Sequence, residues 1–336
     1  MLAKTIAFPH RPPPIGGPGT FQILLESEVA ERGWKISYAE DKVKADVVFV
    51  VGGTVKLAWL MRQKYAGAKI VHRLDGLNWR PWQQSSPLRT RTMASIRNVL
   101  MRTIRDLFAD YVIYQSEFIK DWWRSYYGLS NKMESVIYNG TNLSVFRQQT
   151  VHIDDFDLRI GCVEGTIEED GATLETIIGI ASRAKAEGQK WRIDLYGSAG
   201  GELSRAVQGL DNVHLHGKFP RDRMPAIYNS CNLFLVLEIN PPCPNSVVEA
   251  LASGLPVIGY DTGALSEMLT PNGGLVVPYG SNPWRLESPN VSGLYDGIMD
   301  MAKDLNSRSL SARRLAEEKF DAKLMLQRYM DVIEGI

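Results

Sequence analysis

The feature that most constrains the fold is an alternation of element types that runs through the chain twice. Short β-branched or apolar runs at residues 5–8, 35–38, 46–51, 69–74 and 111–114 read as strands, with helices such as residues 20–32 between them. After a polar, acidic, aperiodic stretch at 146–157, strand-like runs resume at 159–163, 191–196, 213–216, 233–237, 256–259 and 275–277. Strands separated by helices give a parallel sheet covered on both faces, and two such sets predict two doubly wound α/β domains. A chain of 336 residues suits two cores better than one. The spacing sets the expected domains at 1–150 and 151–314, with 146–157 as linker and a helical tail at 315–336 within a stretch, 313–336, that reads as helical throughout. Ligands of such sheets bind at the carboxyl ends of the strands, so two of them are expected to face each other across a cleft.

Composition narrows the function. With 38 basic and 38 acidic side chains the net charge is zero, so no overall field favours nucleic acid or a membrane. Cys162, Cys231 and Cys243 lack the paired spacing of a zinc site and fit reduced, buried thiols in a cytosol. The N-terminus lacks the apolar core of a secretory signal, and no apolar run is long enough to cross a bilayer. A cytoplasmic protein is expected, at most peripheral on the inner face of the cell membrane.

Residues 240–259, NPPCPNSVVEALASGLPVIG, carry the strongest chemical signal. Pro241, Pro242 and Pro244 suit the approach to a helix, and Asn245 and Ser246 are N-cap candidates. The first turn of such a helix, Val247 included, offers backbone N–H groups and a positive dipole end to an anion. About one turn on, Glu249 can accept two hydrogen bonds from adjacent hydroxyls such as a ribose diol. Phosphate plus diol suggests a nucleotide. The structural alternative is an ordinary helix ending at Gly254 before a buried strand.

PNSVVEALASGLPVIG resembles the signature of the retaining glycosyltransferases of the two-domain GT-B fold, family 4, also called glycosyl transferases group 1. Their pattern carries two glutamates eight positions apart. Glu249 matches the second, and Pro241 stands at the first. GGPGTFQILLESEVAERGW, SVIYNGTNLSVF, LYGSAGG, HLHGKFPRDRMPAIYNSCNLFLVLE and TGALSEMLTPNGGLVVP resemble further segments in the family's order and cover most of the chain. The resemblance implies two Rossmann-like domains, an acceptor domain followed by a nucleotide-sugar donor domain, with the C-terminal helix packing back on the first.

It also assigns candidate site residues. Gly16, Gly17 and Gly19 lie between the first strand and its helix, where backbone can approach a ligand or simply turn; in the family this loop lies beside the donor diphosphate and the acceptor. Asp75 stands where the family commonly has a histidine that touches the donor sugar, and is a candidate catalytic residue able to accept a sugar hydroxyl, although Asp75-Gly76 is equally a turn pair. His72 reads as core. Trp79 and Trp82 read as packing or as sugar-facing rings. Glu164 and Gly165 fall in the loop where the family places an arginine and a lysine; this chain has Glu164, Glu168, Glu169 and Asp170. Glu164 is therefore assigned, as a second catalytic candidate, to sugar hydroxyls. Phosphate charge falls to Arg11, Arg73, Arg80 or Lys218 and to the helix start at Asn245, Ser246 and Val247. Gly197 and Ser198 end a strand at the cleft, and Gly217, Lys218 and Phe219 match the segment that holds the base.

Asp155 and Asp157 fit a metal-binding DxD pattern but sit in the linker, so no metal is expected, and no cofactor beyond a nucleotide-diphosphate sugar donor. Residues 89–108, if helical, place Met93, Ile96, Leu100, Ile104 and Leu107 on one face and Arg91, Arg102 and Arg105 opposite, which suits a surface helix or peripheral contact with anionic lipid. Trp122 and Trp123 are adjacent, so a helix there should expose one of them. The resulting expectation is a retaining hexosyltransferase, moving glucose from UDP-glucose to a glycan or lipid-linked acceptor in polysaccharide biosynthesis. Uridine and glucose are chosen as the commonest donor parts. The alternatives are a nucleotide-sugar epimerase of the same fold and a nucleotide-binding protein without transfer activity.

Overall fold

The computed structural model describes residues 3–13, 16–84, 86–148 and 157–336. Most of the expected linker, with Asp155, lies outside the described residues. The chain divides into two compact units, Met1–Asn139 with Lys323–Ile336, and Gly140–Ala322.

Among the described residues of the first unit, six strands form one parallel sheet: β1 (Thr5–Phe8), β2 (Lys35–Tyr38), β3 (Val47–Val51), β4 (Lys69–Leu74), β5 (Tyr111–Tyr114) and β6 (Met133–Val136), in the order β2-β1-β3-β4-β5-β6. The helices between them are α1 (Gly17–Glu31), α2 (Leu57–Tyr65), the short α3 (Arg80–Gln83), α4 (Leu88–Thr103) and α5 (Glu117–Tyr127). Strand β6 has no apolar run because it is the partly exposed edge strand, which hides it from a pattern search. The chain runs from β1 outward to β2 and then returns to β3 on the other side of β1. That reversal puts a topological switch point between β1 and β3.

The second unit repeats the plan with β7 (Leu158–Thr166), β8 (Trp191–Ser198), β9 (Val213–Gly217), β10 (Leu233–Val236), β11 (Val257–Tyr260) and β12 (Gly274–Val277), ordered β12-β11-β10-β7-β8-β9. Its helices are α6 (Gly171–Ala186), α7 (Gly201–Ala206), α8 (Met224–Asn229), α9 (Asn245–Ala252), α10 (Leu265–Leu269), α11 (Val291–Ala302) and α12 (Leu305–Lys319). Here the winding reverses between β7 and β10.

The C-terminal stretch is two helices, not one. Chain geometry breaks at Phe320, where the Thr141 N–H donates to the Phe320 carbonyl and the Ala322 N–H donates to the Thr141 carbonyl, both at 2.9 Å. These bonds replace the helical ones there. Helix α13 (Ala322–Gly335) then returns to the first unit, as the family resemblance implies. It buries Met325, Tyr329, Met330 and Ile333 against Phe8, Phe21 and Phe49. Burying those four α13 side chains contributes on the order of 6–12 kcal/mol before ordering entropy. Arg73 fixes the register: its Nε donates to the Tyr329 hydroxyl at 3.0 Å, its Nη2 to Asn139 Oδ1 at 2.7 Å, and its guanidinium lies 4.0 Å over the Phe21 ring.

Candidate functional site

In the second unit, the reversal between β7 and β10 brings the loop after β7 and the loop leading into α9 to neighbouring strand ends. The approach to α9 is tightly built. Asn240 adopts a left-handed φ of 55° and donates its N–H to Thr262 Oγ1 at 3.2 Å, while the Pro241 carbonyl accepts from the Ala264 N–H at 2.8 Å. A Cβ on Gly263 would collide with the Pro241 nitrogen, so the segment facing Pro241 must be glycine. The N-cap is Pro244, not Asn245 or Ser246, which take the first two helical positions. Their backbone N–H groups have no acceptor among the described residues, because an α-helix supplies none there. Val247 is buried one position further in.

Glu249 is 2% exposed on the same helix. Arg221 Nη2 donates to its Oε1 at 2.8 Å, and the Tyr228 hydroxyl donates to Oε2 at 3.3 Å. Burial pushes the carboxyl above the usual carboxylate range, while the Arg221 guanidinium and the two hydrogen bonds pull it down. Tyr228 is itself pushed well above a free phenol by burial, then by the charge of Glu249. The two bonds leave acceptor capacity on both oxygens. The Arg221 side chain is half exposed at 55%, so it meets solvent on one side and the buried carboxylate on the other. Neither Arg221 nor Tyr228 is visible as a partner in the sequence, since they lie 28 and 21 positions away.

The acidic loop after β7 divides into two jobs. Asp170 caps α6, its Oδ1 accepting from the Thr173 N–H at 2.9 Å, and Glu169 does the same for α7, its Oε1 accepting from the Leu203 N–H at 2.9 Å. Glu164 is partly exposed at the end of β7 beside Gly165, which has open space around it. Gly197 has φ 146°, and a Cβ there would collide with the Glu164 carbonyl oxygen, so the ends of β7 and β8 meet only because that residue is glycine. The Ser198 carbonyl accepts from the Ile167 N–H at 2.9 Å. After β9, Lys218 is exposed and Phe219 packs edge-on to Tyr196 at 5.4 Å. Thus Glu164, Gly165, Gly197 and Ser198 form one group, while the segment following Lys218 and Phe219 is tied to α9 through Arg221 and Glu249.

In the first unit a cavity of about 470 Å³ opens at the carboxyl ends of β1, β3 and β4. Its wall includes His10 and Pro18 after β1, Gly52 to Val55 after β3, Asp75 and Gly76 after β4, and Arg97, Leu100 and Met101 of α4. Gly16 and Gly17 begin α1 just before Pro18; Gly16 has φ 102°, and a Cβ on Gly19 would collide with the Pro13 carbonyl oxygen. Burial raises the Asp75 carboxyl against the lowering charge of Arg73, and no ion pair neutralises it among the described residues. The Trp123 indole N–H donates to the Asp75 carbonyl at 2.8 Å, which holds the rim. His10 Nε2 and Thr54 Oγ1 are 2.9 Å apart, and burial followed by the Lys56 charge lowers the His10 pKa. His72 is core: it is fully buried, bonded through Nε2 to the Gly52 carbonyl at 2.6 Å, and lowered to about 4 by burial.

Two of the residues assigned to phosphate charge are otherwise engaged. Arg73 is buried in its bonds to α13, and Arg11 pairs with Glu40 at 3.0 Å. Arg80 lies in α3 of the first unit, so among the four only Lys218 shares a unit with α9. Trp123 is fully buried, and Trp122 is partly covered against Phe118, so neither ring is simply exposed. Trp82 is 50% exposed. The expected apolar face of residues 89–108 is largely exposed. Helix α4 buries Ala94, Asn98 and Met101, and the following π-helical turn (Ile104–Phe108) buries Ile104, Arg105 and Phe108, while Met93, Ile96, Val99 and Leu107 are exposed. Arg105 turns inward because Asp106 pairs with it and the Trp123 ring lies 5.4 Å from its guanidinium.

Two parallel six-stranded α/β units, each with loops gathered at its switch point, define the class as the two-domain GT-B fold. Residues 160–288, within the second unit, match the family described as Glycosyl transferases group 1. Sucrose-phosphate synthase from Thermosynechococcus elongatus has a similar structure, with a TM-score of 0.79 at 17% identity over 99% of this chain and 98% of that one. A glycosyltransferase from Rickettsia africae gives 0.75 at 14% identity over 100% and 99%. Anabaena Alr3699/HepE, solved in complex with UDP-glucose, gives 0.70 at 14% identity over 99% and 100%. At such identities these likenesses speak for the fold. No curated protein matches the sequence.

Proposed function

We propose that this protein transfers a hexose, glucose from UDP-glucose, to a hydroxyl of a glycan or lipid-linked acceptor in polysaccharide biosynthesis, in the cytoplasm and with retention at the anomeric carbon. The observation that carries the reading is the buried Glu249 behind the start of α9, inside the segment that matches the group 1 family. In this reading the N–H groups of Asn245 and Ser246 receive the diphosphate, Val247, expected beside them, keeps its own N–H on the Pro244 carbonyl at 3.2 Å, and the spare lone pairs of Glu249 accept from the ribose diol. Arg221 neutralises the carboxylate so that it does not repel the diphosphate, and its exposed side adds positive charge that the loop after β7 lacks. The base falls to Lys218 and Phe219, and the donor sugar to Glu164 and Gly165 with Gly197 and Ser198. Asp75 is assigned to a sugar hydroxyl, and the loop of Gly16 and Gly17 to close backbone approach to the donor and the acceptor.

Negative charge grows on the departing diphosphate as the glycosidic bond breaks, so fixed N–H dipoles aimed at it favour the transition state over the ground state. A leaving phosphate oxygen can take the acceptor's proton on the same face, so the proposal uses neither a separate base nor a metal. UDP is released. HepE, of the same fold, was solved with UDP-glucose, which supports the choice of donor. The test is transfer of labelled sugar from UDP-glucose to extracted glycans and lipids. Label reaching an acceptor supports transfer; conversion of UDP-glucose to another sugar nucleotide with no acceptor present would replace it by epimerisation; UDP binding with neither would leave a binding protein.

A further inference from the structure

Helix α4 carries Arg89, Arg91, Arg97 and Arg102 and no acidic residue, in a chain whose net charge is zero. At ~100° per residue, its buried residues Ala94, Asn98 and Met101 occupy one arc. The opposite arc is apolar where a solvated helix would be polar: Leu88 is 76% exposed, Val99 55%, Ile96 46% and Met93 44%. Arg91 and Arg102 border that arc on one side and Arg97 on the other, while the exposed Arg89 and Thr92 lie within it toward the start of the helix. Trp82 stands beside it on α3, with the Arg91 guanidinium 6.0 Å from its ring. An apolar stripe edged by arginines, with a tryptophan at its margin, matches a bilayer interface, where the stripe enters the acyl boundary and the guanidinium groups reach lipid phosphates. Charge selects the occupant. Arg102 pairs with Asp106 at 3.4 Å, but Arg91 on the same border and Arg97 on the other make no ion pair among the described residues, so the face keeps positive charge on both sides and complements an anionic surface.

We propose that α4 docks on an anionic lipid bilayer. The same helix supplies Arg97, Leu100 and Met101 to the wall of the first unit's cavity, so docking sets the cavity beside the lipid headgroups. Arg97 makes no ion pair among the described residues and is left to meet an anionic headgroup. The acceptor class that this placement delivers is lipid-linked, a conclusion that rests on the transfer reading above, whereas docking does not.

Flotation of the full chain with phosphatidylglycerol–phosphatidylcholine vesicles tests docking. Flotation that weakens with salt is expected, with little on pure phosphatidylcholine. Ile96→Asp with Val99→Asp should reduce it tenfold or more, and Arg89→Gln about fivefold. Vesicles with brominated acyl chains should quench tryptophan emission less in Trp82→Phe. The exposed positions keep the fold intact, which unchanged UDP affinity in each variant would verify. No flotation at low salt, equal flotation of the Asp variant, or a lipid-free oligomer that the Asp variant dissolves would each overturn docking. For the acceptor, label from UDP-glucose should enter total lipid extract in vesicles and fall in the Asp variant. Label entering only water-soluble glycans would overturn the lipid-linked class. Absence of label from every acceptor would refute transfer itself, and flotation would still decide docking.

Discussion

Glu249→Gln keeps the volume of a buried side chain and removes its charge, so it separates the fold's use of this residue from the ligand's. In the parent, burial lifts the carboxyl pKa against the pull of Arg221. A folded-state pKa above the unfolded one means that the folded chain holds the proton more tightly. The group's contribution to stability is therefore most favourable below the usual carboxylate range, falls as pH rises to the folded pKa, and is flat beyond it. Glutamine escapes that cost but weakens the bond from Arg221 by about 1 kcal/mol, so the two effects oppose each other at pH 8. Little net change in Tm is expected. UDP binding has no such compensation. Two charge-assisted bonds from a ribose diol, at about 1.5–3 kcal/mol each, would lose roughly half their strength on a neutral acceptor, a total of about 1.5–3 kcal/mol or about 10- to 150-fold in Kd. Calorimetric titration with UDP and with uridine should show the same loss for both, since both carry the ribose. Kd values within twofold of the parent for both ligands, in a variant with parental Tm, would refute the ribose assignment.

Asn245→Pro places proline at the first helical position, after a residue whose ψ of 129° already accommodates it, and so deletes one N–H without disturbing α9. UDP affinity should fall by about 1.5–3 kcal/mol while uridine affinity holds; equal loss for the two would remove the diphosphate from this helix start. Asp75→Asn removes a carboxyl whose pKa burial has raised, so its Tm should exceed the parent's at neutral pH, with the gap closing as pH falls through the raised folded pKa and gone once pH is below the ordinary carboxylate range. Thermal melts across pH check the sign, and the variant's transfer rate should drop. Gly19→Ala drives a methyl group into the Pro13 carbonyl and should cost about 1–3 kcal/mol in urea unfolding, whereas Gly201→Ala, at a helical position with open space around it, should cost nothing measurable. An equal cost at the two positions would show that the collision is relieved.

The sheets were legible because buried parallel strands are continuous apolar runs: all six strands of the second unit and five of the first stand out, and only the part-exposed edge strand β6 does not. Its register comes from pairing with β5, which is information the segment does not hold. The buried face of α4 was not legible for a related reason. Both of its long faces carry apolar residues, so periodicity alone cannot say which one is buried. Asn98 decides it, because its Oδ1 accepts from the Asn78 N–H at 2.9 Å and draws a polar residue inward. At the site, Glu249 could be found from its place after a helix start, but Arg221 could not, because the pairing depends on the loop after β9 crossing to α9.

That pairing also changes the meaning of the acidic loop. Four carboxylates at Glu164, Glu168, Glu169 and Asp170, where the family resemblance expects two cations, read as a charge conflict with a diphosphate. The conflict shrinks once Glu169 and Asp170 are followed to the helix starts they cap. A capping carboxylate interacts favourably with the positive end of its helix, so part of its field is already answered locally. Glu249 is answered in the same way by Arg221, whose other side faces water. What a diphosphate arriving at α9 would meet is therefore the two N–H groups of its first turn and the exposed side of one guanidinium, with Glu164 held at the end of β7. Positive potential at this site would come from backbone and from one arginine of another loop, and neither has a position in the motif where sequence reasoning looks for a basic pair.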